Sequence, residues 1–178
     1  PRSTPKPSSA ASDVYKRQEE TGLNFEENAS LKASAVGEFL GENSLVLSDD
    51  SGLEVCALSG KPGVFSARYA GENASDDENR KKLLQKLNEI DSDMSDWSAS
   101  FKCVMTLVKG SNKLATFEGS VQGTICDVER GENGFGYDSI FIPEGYENTF
   151  AELPSETKNS ISHRYQALEA FKKWLSEA

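Results

Sequence analysis

Histidine is almost absent from this 178-residue chain, cysteine is scarce, and no long apolar run occurs. Cys56, Cys103 and Cys126 stand far apart, without Cys-x-x-Cys spacing. An odd, scattered set argues against a disulfide frame and suits reduced thiols in a cytoplasm. No apolar run approaches the length of a membrane-spanning helix, and the opening residues carry no stretch that reads as a signal peptide. Positive charge is in short supply. Nineteen Lys and Arg face 29 Asp and Glu, a net charge of −10. That balance excludes a general nucleic-acid binder, which would present a basic face. It leaves room for a small anionic substrate, because a metal ion and a few local cations can reverse the sign inside one cleft. No internal repeat is evident. What remains is ordinary: 37% hydrophobic and 27% charged residues, enough to bury a core in one or two lobes.

Residues 1–18 differ from the rest. They hold three of the six prolines, no apolar periodicity, and four Lys and Arg against one Asp. The shift predicts a disordered or foreign extension, with the folded domain over 19–178. Ala29, Ala33, Val36 and Leu40 recur at helical spacing from about Asn24 to Gly41. Leu45-Val46-Leu47 reads as a short buried strand ending at an Asp49-Asp50 turn, with Leu53-Glu54-Val55 as a second short strand. Ser75 and Glu78 predict a capping box opening a helix that reaches Ile90. Phe101–Val108 is apolar on both faces and predicts a central strand. Ala115–Phe117 with Val121–Ile125, and then Tyr137–Ile142, supply further strands. A last helix over about 162–175 is expected to bury Leu168, Phe171 and Leu175. Mixed strands and helices give an α/β class with a partly antiparallel sheet.

Three clusters carry chemistry. Asp49-Asp50-Ser51-Gly52 places two carboxylates and a hydroxyl after an apolar run, where open α/β sheets put their ligand sites. Carboxylate oxygens there suit a hard cation such as Mg²⁺; alone, the pair is also what a solvated turn would show. Gly131-Glu132-Asn133-Gly134-Phe135-Gly136-Tyr137-Asp138 joins a glycine loop to two flat aromatic faces and an acceptor able to read a base edge. A glycine hairpin with core aromatics fits it equally. Lys158-Asn159-Ser160-Ile161-Ser162-His163-Arg164 holds the single histidine beside cations at a helix start. Cations oppose the dipole there, and an anionic ligand would account for them. Arg68, within Pro62–Gly71, reads as a structural ion-pair partner before a phosphate contact.

In this order the clusters resemble the inosine/xanthosine triphosphate pyrophosphatase family. The resemblance is carried by Glu20–Ala29, Asp49–Val55, Pro62–Gly71, Phe135-Gly136-Tyr137-Asp138 and Ser162-His163-Arg164, and spans about Glu19 to Leu175. It implies an elongated mixed sheet flanked by helices, with two lobes and a cleft, in a cytoplasmic homodimer that binds neither membrane nor nucleic acid. The implied reaction is Mg²⁺-dependent hydrolysis of ITP, dITP or XTP to monophosphate and pyrophosphate, which cleanses the nucleotide pool. Residue by residue, Asp50, or Asp49 beside it, matches the catalytic proton acceptor, and Glu20 and Asp50 match metal ligands. Ser51, Phe135, Gly136, Tyr137, Asp138, Lys158, His163 and Arg164 match substrate contacts. Donors from His163 or Arg164 to the purine 6-keto oxygen would disfavour ATP, whose amino group presents a donor there.

The family's opening strand and Thr/Ser-x-Asn-x-x-Lys phosphate loop have no counterpart before Glu19, so impaired activity is expected of this chain. Cys56 and Ser59-Gly60-Lys61 depart from the pattern without touching the chemistry. Two rival readings stay open: a pyrophosphatase of related fold acting on modified pyrimidine nucleotides, and a non-catalytic nucleotide-binding remnant.

Overall fold

The computed structural model describes residues 21–90 and 97–177. The expected extension over residues 1–18, and Glu20, lie outside these limits. The chain divides into two compact units. One comprises the described residues through Asp50 with Met105–Thr116; the other comprises Ser51–Val104 and the chain from Phe117 onward.

In the first unit, helix α1 spans Phe25–Leu40. Asn24 caps it, its Oδ1 accepting the Glu27 N–H at 2.8 Å while Glu27 Oε2 accepts the Leu23 N–H at 2.7 Å. Gly41, at φ 97°, ends it. The buried stripe is Phe25, Asn28, Ala29, Lys32, Ala33 and Gly37, so two polar side chains occupy inward positions between alanines. Strand β1 runs without interruption over Leu45–Val55. The expected turn at Asp49-Asp50 and the expected second strand are therefore one element. Aspartate and serine are poor strand formers, yet pairing within the sheet and specific partners for Asp50 override local preference.

The sheet has four strands in the order β1-β2-β3-β4, where β2 is Ser98–Lys109, β3 Asn112–Ile125 and β4 Phe141–Pro143. The two pieces expected between 115 and 125 are one fourteen-residue strand. Strands β3 and β4 are antiparallel, with Thr124 opposite Ile142. Helix α2, Asp76–Glu89, opens on the expected capping box: Ser75 Oγ accepts the Glu78 N–H at 3.3 Å and Glu78 Oε2 accepts the Ser75 N–H at 2.7 Å.

The core of the second unit joins Leu53 and Val55 to Leu83 and Leu87 of α2 and to Phe101, Phe141 and Phe150. Phe101 meets Phe141 edge-on at 4.7 Å between ring centroids. Tyr137–Ile142 is not a strand throughout. Asp138–Ile140 forms a single 3-10 turn before β4, because the bonds from Asp138 N to Phe135 O and from Ile140 N to Tyr137 O close turns instead of pairing with a neighbour.

Two helices follow: a short α3 over Ser155–Ile161 and α4 over His163–Glu177. Lys158 thus lies on a helix rather than a loop. The inward face of α4 is His163 and Ala167, continued by Phe171 and Trp174, whose rings meet Phe117 at 5.2 and 5.8 Å. Leu168 and Leu175, expected inside, are exposed at 37% and 53%. The buried stripe is rotated one residue from the leucines because Ala167, Phe171 and Trp174 follow the histidine at helical steps of four, four and three residues. Gly119 of β3 permits this seat, since a methyl group there would overlap the His163 carbonyl and the Ala167 amide. Gly119→Val should therefore displace α4 and cost roughly 3 kcal/mol in urea unfolding; an unchanged midpoint would contradict this packing.

Candidate active site

Two polar arrangements follow from this fold, one in each unit. In the first, Asn28 and Lys32 lie one turn apart on the buried face of α1, and both reach Asp50. Lys32 Nζ donates to Asp50 Oδ1 at 2.8 Å, and Asn28 Nδ2 donates to Oδ2 at 3.1 Å. Asn28 Oδ1 in turn accepts the Gly22 N–H at 2.8 Å. The Lys32 and Asp50 side chains are only 8% and 9% exposed. Burying two charges is costly unless they are paired and hydrogen-bonded, and here they are both. The result is a carboxylate with fixed orientation. Its neighbour Asp49 is half-buried.

The second unit encloses a cavity of about 350 Å³. Ser51, Phe135, Gly136, Tyr137, Asp138, Lys158, His163 and Arg164 all line it, so eight sequence-derived candidates converge on one space. Phe135 stands at the rim, 64% exposed as a residue, with the Lys158 ammonium 5.1 Å and the Arg164 guanidinium 5.6 Å from its ring centroid. An exposed aromatic face bordered by two cations is what a nucleobase carrying phosphates would engage. Arg164 is itself anchored, donating from a terminal nitrogen to Ser51 Oγ at 2.7 Å.

Asp138 is buried and highly directed. Its Oδ2 accepts from the Phe135 N–H at 2.8 Å and from Lys158 Nζ at 2.5 Å. Both bonds fall on one oxygen, and Oδ1 has no hydrogen-bond partner among the described residues. Tyr137 has a different part from Phe135. Its ring belongs to the core, and its hydroxyl donates to the Ser66 carbonyl at 2.9 Å. Burial pushes that phenol well above its ordinary range, so it stays protonated. His163 lies stacked on Phe101 at 5.0 Å with planes only 8° apart. Burial first, then the adjacent Arg164 and Lys158 charges, push its pKa from 6.5 down to about 3. The imidazole is therefore neutral at physiological pH. Its Nδ1 is buried without a hydrogen-bond partner among the described residues.

Several residues of these arrangements were not singled out from the sequence. Lys32 could have been found, as a lysine four residues after Asn28 on the alanine-lined face of a helix. Ser66 sits inside the Pro62–Gly71 patch and works structurally, accepting the Leu53 N–H at 2.9 Å and donating to the Gly63 carbonyl at 2.6 Å. Phe101 reads as a plain core residue, and Asp76 as an ordinary first-turn acid. Arg68 takes the structural part expected of it, with Glu72 at 3.8 Å and its guanidinium over Phe65 at 5.2 Å. Glu20 falls outside the described residues. No group of three His, Cys, Asp or Glu side chains able to hold a metal occurs among those described.

The chain is similar to known proteins in both sequence and fold. A dITP/XTP pyrophosphatase of Staphylococcus aureus (strain MRSA252) is 48% identical over 158 residues, covering 89% of this chain and 78% of that protein. One from Bacillus licheniformis is 46% identical over 160 residues, covering 90% and 80%. Among solved structures, a HAM1 protein from Coxiella burnetii superposes with TM-score 0.86 at 41% identity, over 98% of this chain and 96% of that one. The Staphylococcus aureus Ham1 protein gives 0.83 at 45% identity, over 93% and 84%. With the Ham1 family's sequence model matching residues 4–174, the chain belongs to the Ham1 family.

Proposed function

We propose that this chain hydrolyses deaminated purine nucleoside triphosphates (ITP, dITP and XTP) to the monophosphate and pyrophosphate, and so cleanses the nucleotide pool. The observation that carries this reading is the convergence of Phe135, Asp138, Lys158, His163 and Arg164 on one cavity, in a chain similar to proteins named dITP/XTP pyrophosphatase.

The purine would stack on Phe135, whose ring the two cations border. Asp138 Oδ1 would accept from a ring N–H that hypoxanthine and xanthine carry and adenine lacks. Arg164 and the neutral imidazole of His163 would act as hydrogen-bond donors toward the 6-keto oxygen. Adenine would set its amino donors against these donors, and a buried donor without an acceptor costs discrimination factors of order 10⁴ in favourable sites. Phe135→Ala should raise KM for ITP roughly tenfold, as expected when a base–aromatic stack worth 1–3 kcal/mol is lost; steady-state kinetics with ITP check it, and an unchanged KM would remove Phe135 from the base site.

Asp50 would be the proton acceptor, with Asp49 as its immediate neighbour in β1. Lys32 and Asn28 hold the Asp50 carboxylate in place, which favours a positioned base over a mobile one. The oxygen donors of Asp50 fit Mg²⁺, which takes one or two protein carboxylates and leaves its other positions to phosphate and water. Asp50 and Glu20 would hold the ion, which when bound neutralises phosphate charge and makes water easier to deprotonate. Pyrophosphate release measured with ITP, XTP, ATP and GTP, with and without Mg²⁺, tests the whole reading. Turnover of ITP and XTP that needs Mg²⁺ is expected; equal turnover of ATP would overturn the specificity.

The same reading extends to a homodimer in the cytoplasm. Three free thiols accord with a reducing compartment, and equilibrium sedimentation would check the assembly.

A further inference from the structure

The turn that carries Phe135 and Asp138 is gripped from outside the cavity's base-contacting residues. Gly136, at φ 61°, is the point where the chain passes from the exposed Phe135 to the buried Tyr137. Both of its peptide groups are taken by side chains of α2. Asp76 Oδ2 accepts the Gly136 N–H at 2.7 Å, and an Arg80 terminal nitrogen donates to the Gly136 carbonyl at 2.8 Å. Asp76 and Arg80 lie one helical turn apart, so a single face of α2 holds both sides of one residue. Arg80 is fixed in turn, its Nε donating to Glu129 Oε2 at 2.9 Å. The same Glu129 oxygen accepts Ser139 Oγ at 3.1 Å, on the far side of the turn. The side chain of Arg80 is only 16% exposed.

We propose that Asp76 and Arg80 are positioning residues for nucleobase recognition, an inference that rests on the pyrophosphatase reading. The turn's internal bonds fix its shape: Phe135 N–H to Asp138 Oδ2, and Asp138 N–H to the Phe135 carbonyl at 3.2 Å. They do not fix how the turn as a whole stands over the cavity. Tyr137 in the core and Lys158 on Asp138 hold the turn's inner side, and the α2 clamp holds Gly136, setting the orientation of the Phe135 ring relative to Asp138. Guanidinium geometry suits this task, because a planar fork can serve a carboxylate and a carbonyl at once where an ammonium serves them as a point charge. Arg80 is bonded to Gly136 and Glu129, beside the base-contacting turn, so its effect should fall on binding.

The test uses the full chain. Arg80→Met should raise KM for ITP roughly tenfold, the worth of one charge-assisted hydrogen bond, with kcat within about twofold and a melting temperature within a few degrees. Arg80→Lys should fall between Arg80→Met and the parent, and it carries the comparison should Arg80→Met fail to fold. An unchanged KM, or a kcat loss that tracks a fall in melting temperature, would overturn the proposal. Calorimetric titration with inosine monophosphate separates the two layers of inference. A parent protein that neither hydrolyses ITP nor binds this ligand would defeat the pyrophosphatase reading itself. A parent that binds it, beside an Arg80→Met variant that binds it equally well, would defeat only the clamp.

Discussion

Asp50→Asn is expected to lower ITP turnover by roughly 10³-fold, the scale on which a positioned general base contributes. The substitution keeps the shape of the side chain and removes its charge and its capacity to take a proton. It also deprives Lys32 of the carboxylate 2.8 Å from its ammonium, at a site only 8% exposed. A stability loss of roughly 2 kcal/mol should follow, the worth of a hydrogen bond to a charged group. Activity and stability are thus confounded in the single variant. Adding Lys32→Met separates them, because a buried ion pair replaced by groups of similar volume is often neutral for stability. The double variant should melt close to the parent and remain as inactive as Asp50→Asn. Turnover recovering together with stability would show that Asp50 serves the fold and not the chemistry.

A second large effect concerns acid. His163 is neutral in the folded protein, with its pKa held down to about 3 by burial and by the nearby Arg164 and Lys158 charges, against 6.5 when unfolded. The unfolded chain therefore binds the extra proton first. Stability from this site is fully present above pH 6.5 and declines as pH falls from there toward 3. At pH 5 the loss amounts to roughly 2 kcal/mol. His163→Phe retains a flat ring against Phe101 and cannot titrate. Denaturant unfolding at pH 7 and pH 5 should show the parent losing about 2 kcal/mol more than the variant over that interval. Parallel losses in the two proteins would mean that His163 is solvated or charged in the folded state.

Local signals were legible wherever short-range physics sets the outcome. The Gly41 stop and the Ser75–Glu78 capping box formed as expected, and the helix expected from about Asn24 is capped by that residue; each depends on residues within four positions of one another. The residues converging on the cavity were legible as types: an exposed aromatic beside an acid, and cations at a helix start that oppose its dipole. Strand limits were less legible. Asp49-Asp50-Ser51-Gly52 reads as a turn by composition, and Asp138–Ile140 as a strand by its apolar flanks. For β1 the decision lay with distant partners, in the sheet and on α1; for Asp138–Ile140 it lay with bonds that close turns three residues apart. Helix α4 misled for a related reason, since two equally plausible apolar stripes differ by one residue and Gly119 offered room to only one.

By itself, the amino-acid sequence determined the class of the fold, the limits of α1 and α2 and the residue types available for recognition, because propensity, capping and charge act over a few bonds. Only the tertiary structure decided that Asp50 is held by Lys32 and Asn28, that Tyr137 serves the core while Phe135 stands exposed at the cavity rim, and that α2 grips Gly136. Each of those outcomes joins residues 18 to 71 positions apart in the chain. Contacts at such separations depend on which elements come to lie together, and burial then sets the charge state and orientation of the groups they share.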